Sequence, residues 1–150
     1  MAEHHVTLNW EKGEAPFTYD AYSRNHAIGF KNGQETIVAS AASTYKGDAS
    51  KPDPEDLLVA ALSSCHMLSF LAIAAKKKVT VQSYQDDAVG FLENDSSNGS
   101  GGKLWMTRVI LRPKVVCDAD PATLEQIHHA AHEACFIANS VKTSVKVEPR

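Results

Sequence analysis

Hydrophobic and polar positions alternate in short runs through the first forty residues. Val6-Thr7-Leu8-Asn9-Trp10 keeps a period of two, and Phe17 to Ser23 is rich in aromatic and β-forming residues. Asn32-Gly33 separates Ala27-Ile28-Gly29-Phe30 from Thr36-Ile37-Val38. These patterns predict strands over 6–10 and 17–23 and a hairpin closed at Asn-Gly, whose residues tolerate the left-handed backbone that tight turns need. A polar connection with glycine and proline follows from Tyr45 to Pro52. The pattern then changes: Leu57 to Ala75 has no charged side chain in 19 positions, and Asp53-Pro54-Glu55-Asp56 precedes it. An aspartate cap, a proline at the first helical position and acids facing the positive end of the helix dipole predict a long helix from Pro54 to Lys76.

Strand character returns from Val79 through Leu92, and Asn94 to Gly102 reads as a polar loop at a hairpin tip. Leu104 to Val116 is expected to be a further strand, with Pro113 marking an edge or a bulge because proline cannot donate to a ladder. Asp120-Pro121 repeats the cap-and-proline start and opens a second helix through about Cys135, and Thr143-Ser144-Val145-Lys146-Val147 closes the chain as an alternating strand. There is no internal repeat and no regular β-α-β alternation. Segregated strands and helices predict an α+β fold in a single domain over 1–150.

Composition narrows the function. A net charge of -3 and a pI near 6.1, with scattered basic residues apart from Lys76-Lys77-Lys78, leave no basic footprint for nucleic acid. The uncharged stretch is long enough to cross a bilayer, yet Ser63, Ser64, His66 and Ser69 interrupt it and no aromatic belt flanks it, so a core helix is expected and not a membrane span. The N-terminus has no basic region followed by an apolar one, and three cysteines without C-x-x-C spacing do not make a disulfide scaffold. A reducing, cytoplasmic setting is the expectation, in which any disulfide is transient.

The cysteines are the residues with chemistry to offer. Cys65 lies mid-helix among Ala61, Leu62, Leu68 and Ser69, and Cys135 follows Leu124, Ile127, His128 and Ala131 on one face of the second helix. Periodicity leaves both open between a small buried hydrophobe and a reactive thiol. Cys117, at a strand end, reads as structural. Whether the two helices bring Cys65 and Cys135 together is a matter of tertiary packing, which spacing does not reveal.

The segment Asp53-Pro54-Glu55-Asp56-Leu57-Leu58-Val59-Ala60-Ala61-Leu62-Ser63-Ser64-Cys65-His66-Met67 resembles the first cysteine signature of the OsmC/Ohr family, and His132-Glu133-Ala134-Cys135 resembles the second. Tyr84, Gly90-Phe91-Leu92-Glu93, Leu111-Arg112-Pro113 and Val145-Lys146-Val147 fall in the matching order between and after them. The resemblance implies antiparallel sheets packed around a long cysteine-bearing helix, in an intertwined homodimer. It further implies a thiol-dependent peroxidase in which Cys65 attacks an organic hydroperoxide and Cys135 closes a disulfide on the resulting sulfenic acid. That disulfide would be reduced by a dithiol of the lipoyl type, with no cofactor or metal. A free thiol has a pKa of about 8.5, so the attacking sulfur needs a cation beside it. By the resemblance that cation is Arg24, with Glu55 as the carboxylate on the other edge of its guanidinium. Read without the resemblance, Arg24 is a solvated strand charge and Glu55 a first-turn acid.

The chain departs from the family pattern at two places. Ser43-Thr44-Tyr45-Lys46-Gly47 stands where OsmC-type members commonly carry an arginine, and Phe136 follows the second cysteine where proline is common. Two alternatives from other classes are a binding or structural module of the same fold without peroxidase activity, and a zinc site formed by His128, His132 and Cys135 at i, i+4 and i+7 of one helix face.

Overall fold

The computed structural model describes residues 1–94 and 102–150, so most of the expected loop over 94–102 lies outside the described residues. The chain divides into two compact units, Met1–Leu57 and Leu58–Arg150.

In the first unit β1 (Val6–Asn9), β2 (His26–Phe30) and β3 (Glu35–Ala39) form an antiparallel sheet in chain order. The predicted hairpin is present, with Phe30 opposite Glu35. Its connection is a 3-10 turn over Lys31–Gly33, with φ of 49° at Lys31, 57° at Asn32 and 84° at Gly33. Asparagine and glycine adopt that left-handed conformation readily.

The strand expected over 17–23 does not form. Its residues make turns, with the Ala21 and Tyr22 amides donating to the Thr18 carbonyl at 3.0 and 3.1 Å. Strand preference in aromatic residues reflects their fit to a pleated, half-buried surface. Here Phe17 and Tyr22 find that surface in each other, 5.3 Å apart, and in Trp10, at 5.9 and 6.1 Å. The Trp10 Nε1–H binds the Ser23 carbonyl at 2.7 Å, which fastens the loop to the end of β1. Further on, the 40–52 connection is closed by the Ser40 amide on the Pro52 carbonyl (2.9 Å) and by the Asp48 amide on Ser40 Oγ (3.0 Å). A Cβ at Gly47 would lie 1.6 Å from the Ala41 carbonyl oxygen, so only glycine fits there.

Helix α1 (Pro54–Lys76) starts where the sequence predicts. The Asp56 amide donates to Asp53 Oδ1 (2.9 Å) and the Asp53 amide to Asp56 Oδ2 (3.2 Å), a reciprocal cap that satisfies two amides the helix cannot. By length and composition α1 is apolar enough to cross a membrane, but Leu62, His66, Phe70 and Ala74, spaced by four, are buried against protein.

The second unit contains β4 (Val81–Asp86), β5 (Val89–Asn94), β6 (Leu104–Leu111), β7 (Pro113–Cys117), α2 (Pro121–Glu133) and β8 (Ser144–Val147). Each long strand expected from the sequence is two strands in different sheets: β4 pairs with β7, while β5, β6 and β8 form a second sheet in that order. Both break at the same level, where Asp86 intervenes. Its Oδ1 accepts the Arg112 amide at 2.6 Å and its Oδ2 accepts Ser63 Oγ of α1 at 2.5 Å. A side chain has taken the place of a ladder partner, and Pro113, with no amide hydrogen, opens the next strand. The pairings are antiparallel except that of β6 with β8, which is parallel and has α2 in the crossover.

Two clusters make the core of this unit. Phe70 and Ala74 of α1 meet Ile127 and Ala131 of α2 over Val81, Tyr84 and Val115, and Leu62 of α1 packs on Val109 and Leu111 of β6. These clusters set α1 against α2 and so fix the separation of the cysteines the two helices carry. The start of α2 is capped as predicted, Asp120 Oδ1 accepting the Thr123 amide at 2.9 Å. The helix ends at Glu133, with Ala134 as its cap, so Cys135 lies just beyond it.

Candidate active site

Cys65 projects from the middle of α1, half-buried, into an apolar groove of about 710 Å³. Small residues of α1, Ala61, Ser64 and Ala72, line the groove together with Leu68, and Phe136 and Ile137 from the turn after α2 face them. Cys135 comes from that same turn but does not line the groove; it is fully buried, at 1 % exposure. The two thiols are neighbours, with the Cys65 side chain close enough to raise the Cys135 pKa. Both are reduced, as is Cys117. The two helices therefore bring together the pair that sequence spacing left open.

The turn holding Cys135 is tightly made. The Asn139 amide donates to the Cys135 carbonyl (3.0 Å), Asn139 Nδ2 to the Glu133 carbonyl (2.9 Å), and Ser140 Oγ to the Phe136 carbonyl (2.7 Å). The Ala138 amide points at Cys135 Sγ, 3.4 Å away. Burial pushes the Cys135 thiol pKa up, against the opposite effect of the Ala138 and Ile137 amides. These hydrogen bonds shape the turn where proline is common in the resembling family.

Arg24 and Glu55 fall in the first unit. Arg24 Nη1 donates to the Tyr22 carbonyl at 2.5 Å and Nη2 donates to the Tyr19 carbonyl, while the guanidinium lies 3.8 Å over the Tyr22 ring. It is half-buried and lines a second apolar pocket of about 510 Å³ with Trp10, Phe17, Tyr22 and His26. Glu55 is half-buried in the first turn of α1.

The zinc alternative is corrected by the packing. His128 Nδ1 is turned to His66 Nε2 at 3.2 Å, and Cys135, beyond the helix end, faces Cys65 and the Ala138 amide. Among the described residues no three His, Cys, Asp or Glu side chains are arranged to hold a metal ion. The i, i+4, i+7 spacing failed because α2 stops before Cys135, which leaves the helical face the spacing assumed.

His66 and His128 form a pair that sequence reasoning missed. His66 is completely buried, His128 is nearly so and lies 4.5 Å from the Phe70 ring, and the charge of Asp86 acts on both. Burial, reinforced by His128 and His132 and opposed by Asp86, holds the His66 pKa down at about 4. Burial likewise lowers His128. Histidine on a helix reads as polar from sequence, and nothing in the spacing of residues 66 and 128 announces a contact.

The fold recurs in solved structures. An OsmC-like protein of unknown function from Vibrio cholerae superposes with a TM-score of 0.90 at 44 % identity, over 100 % of both chains. The organic hydroperoxide resistance protein OhrB of Bacillus subtilis gives 0.71 at 18 % identity, over 99 % of this chain and 98 % of its own. An organic hydroperoxide resistance protein OsmC from Legionella pneumophila gives 0.71 at 17 % identity, over 99 % and 96 %. At the two lower identities the likeness is one of fold. No curated protein sequence matches the chain. Residues 47–150, which hold α1, both thiols and every element of the second unit, match the OsmC-like protein description. With that match and a relative 44 % identical along its full length, the chain belongs to the OsmC-like protein family.

Proposed function

We propose that this chain is a cytoplasmic thiol-dependent peroxidase that reduces organic hydroperoxides to alcohols. The observation that carries the reading is a groove-facing thiol, Cys65, beside a buried thiol, Cys135. In the first step the Cys65 thiolate attacks the outer peroxide oxygen. The O–O bond breaks, the sulfur becomes a sulfenic acid, and the departing alkoxide takes a proton to leave as alcohol. In the second step Cys135 sulfur attacks the sulfenic sulfur, water departs, and the Cys65–Cys135 disulfide forms. An external dithiol, of the lipoyl type in the family's manner, returns both thiols.

The apolar part of the groove wall, Leu68, Ile73, Phe136 and Ile137, supports an alkyl or lipid-like hydroperoxide as substrate, with Ser64, Ser69, Lys76, Glu133 and Asn139 as the polar groups beside it. Arg24 is the proposed cation for the Cys65 thiolate and Glu55 its carboxylate. With two donors engaged by main-chain carbonyls, the guanidinium has further N–H groups to offer. We also propose a homodimer: Val6, 58 % exposed, and Leu8, 65 % exposed, are apolar side chains of the edge strand β1 that a second copy would cover.

Treatment of the reduced protein with one equivalent of cumene hydroperoxide, followed by peptide mapping, tests the reading. Wild type should lose two thiols per chain and yield a Cys65–Cys135 bridge. Cys135→Ser should accumulate a sulfenic acid on residue 65, and Cys65→Ser should not react rapidly. Survival of both thiols in wild type would favour a binding module of the same fold.

A further inference from the structure

We propose that the turn after α2 gives the disulfide a direction: an incoming reductant attacks Cys65, and Cys135 is the sulfur that leaves. The inference rests on the Cys65–Cys135 pairing proposed above and concerns its reductive half.

Thiol–disulfide exchange requires the attacking thiolate to approach one sulfur in line with the S–S bond, and the other sulfur departs as an anion. The two sulfurs here differ in both respects. Cys65 borders the 710 Å³ groove, so a nucleophile can reach it from there. Cys135 is 1 % exposed and borders none of that groove. Access decides the direction; burial alone would make Cys135 the poorer leaving group, and donors in the turn act against that. The Ala138 amide stands 3.4 Å from Cys135 Sγ, and the Ile137 amide acts in the same sense. Asn139 Nδ2 on the Glu133 carbonyl and Ser140 Oγ on the Phe136 carbonyl hold the turn that aims these amides. A buried thiolate without donors would be a poor leaving group, and oriented main-chain amides reduce that penalty without cancelling it.

The exchange takes two steps. One thiolate of an external dithiol bonds to Cys65 Sγ, the S–S bond breaks, and its electron pair stays on Cys135, which then takes a proton. The second thiolate of the dithiol attacks its own sulfur in the mixed disulfide and releases the Cys65 thiolate, leaving the dithiol as a cyclic disulfide. The protein gains two electrons and the dithiol loses two.

The test starts from the full chain in a Cys117→Ser background, oxidised with diamide so that the bridge forms whether or not the protein turns over hydroperoxides. A brief exposure to excess 2-mercaptoethanol, an acid quench, alkylation with N-ethylmaleimide and peptide mapping then locate the adduct. The expected result is the mercaptoethanol adduct on Cys65 and the maleimide on Cys135, in a ratio of at least about 10 to 1. Asn139→Ala, which frees the turn, should slow release of Cys135 several-fold with the adduct still on Cys65; Asn139→Gln, which keeps a donor, should restore part of the rate. An adduct on Cys135, or an even mixture, would overturn the proposal while leaving the peroxidase reading intact. A bridge formed by diamide but not by hydroperoxide would sink the peroxidase reading alone. Failure of diamide to form the bridge would overturn the proposed direction along with the pairing.

Discussion

Nε2 of His66 and Nδ1 of His128 lie 3.2 Å apart, in rings within 2° of parallel, at the buried meeting of α1 and α2. Each ring keeps its other nitrogen, His66 Nδ1 and His128 Nε2, buried without a hydrogen-bond partner among the described residues. Neutral, the two imidazoles carry one N–H each, and one of these fits between the inner nitrogens; a third proton on the pair would place a charge in the core. The pair joins the helix of Cys65 to the helix that precedes Cys135.

This pair should make the protein acid-labile. The His66 pKa is held at about 4, against 6.5 for a free imidazole, so the unfolded chain binds a proton that the native chain refuses. Stability is therefore full above about pH 6.5 and falls as pH drops from there toward 4. The loss attributable to this residue is up to about 3 kcal/mol, at 1.36 kcal/mol per pKa unit. Urea unfolding of the metal-free protein at several pH values should show that slope, and His66→Asn should flatten it. An unchanged slope in the variant would assign the acid sensitivity elsewhere.

Asp86 should be a stability residue despite lying on a strand end. It accepts the Ser63 hydroxyl and the Arg112 amide. Asp86→Ala leaves a buried-side amide and a hydroxyl without partners, at a cost of about 2–4 kcal/mol. Chemical denaturation would measure the loss, and a change under 0.5 kcal/mol would contradict the role given to it.

Gly90 of β5 lies tight against Val59 of α1. A Cβ there would stand 2.5 Å from Val59 Cγ2 and 2.4 Å from Met106 Cε. Met106 can swing its terminal methyl aside, whereas Val59 is stiff. Gly90→Ala should therefore cost about 1–3 kcal/mol, and adding Val59→Ala should recover part of it, a coupling that a double-mutant cycle in urea would read directly.

The reduced thiols should differ in reactivity. Burial raises the Cys135 pKa above the ordinary thiol value, so this sulfur stays protonated through neutral pH as well as being inaccessible. Iodoacetamide at pH 7.5 should modify Cys65 at least about tenfold faster than Cys135. Raising the pH toward 10 should narrow the gap, and denaturation should abolish it. Equal rates in the native protein would mean that Cys135 is not shielded.

How much of this was written in the sequence differs from element to element. Asp53-Pro54 and Asp120-Pro121 carry local, self-contained signals, because a cap satisfies amides within its own turn, and both helices begin where those residues stand. The hairpin at Asn32-Gly33 was legible for the same reason. The family resemblance, read from two short stretches around Cys65 and Cys135, holds over residues 47–150.

What the local signals could not contain was any choice made between distant segments. Phe17 to Ser23 has strand composition but makes turns, because Trp10 offered its aromatic residues a better surface than a neighbouring strand did. The long strands broke at Asp86 and Arg112, whose partnership joins residues 26 positions apart and leaves no periodic trace. The pairing of Cys65 with Cys135, and of His66 with His128, follows from the packing of Phe70 and Ala74 on Ile127 and Ala131. Sequence by itself determined where helices start and which residue types were available for thiol chemistry, since those depend on bonds within a turn. Tertiary structure alone decided which thiols meet and which one is hidden, since burial is a property of the assembled core.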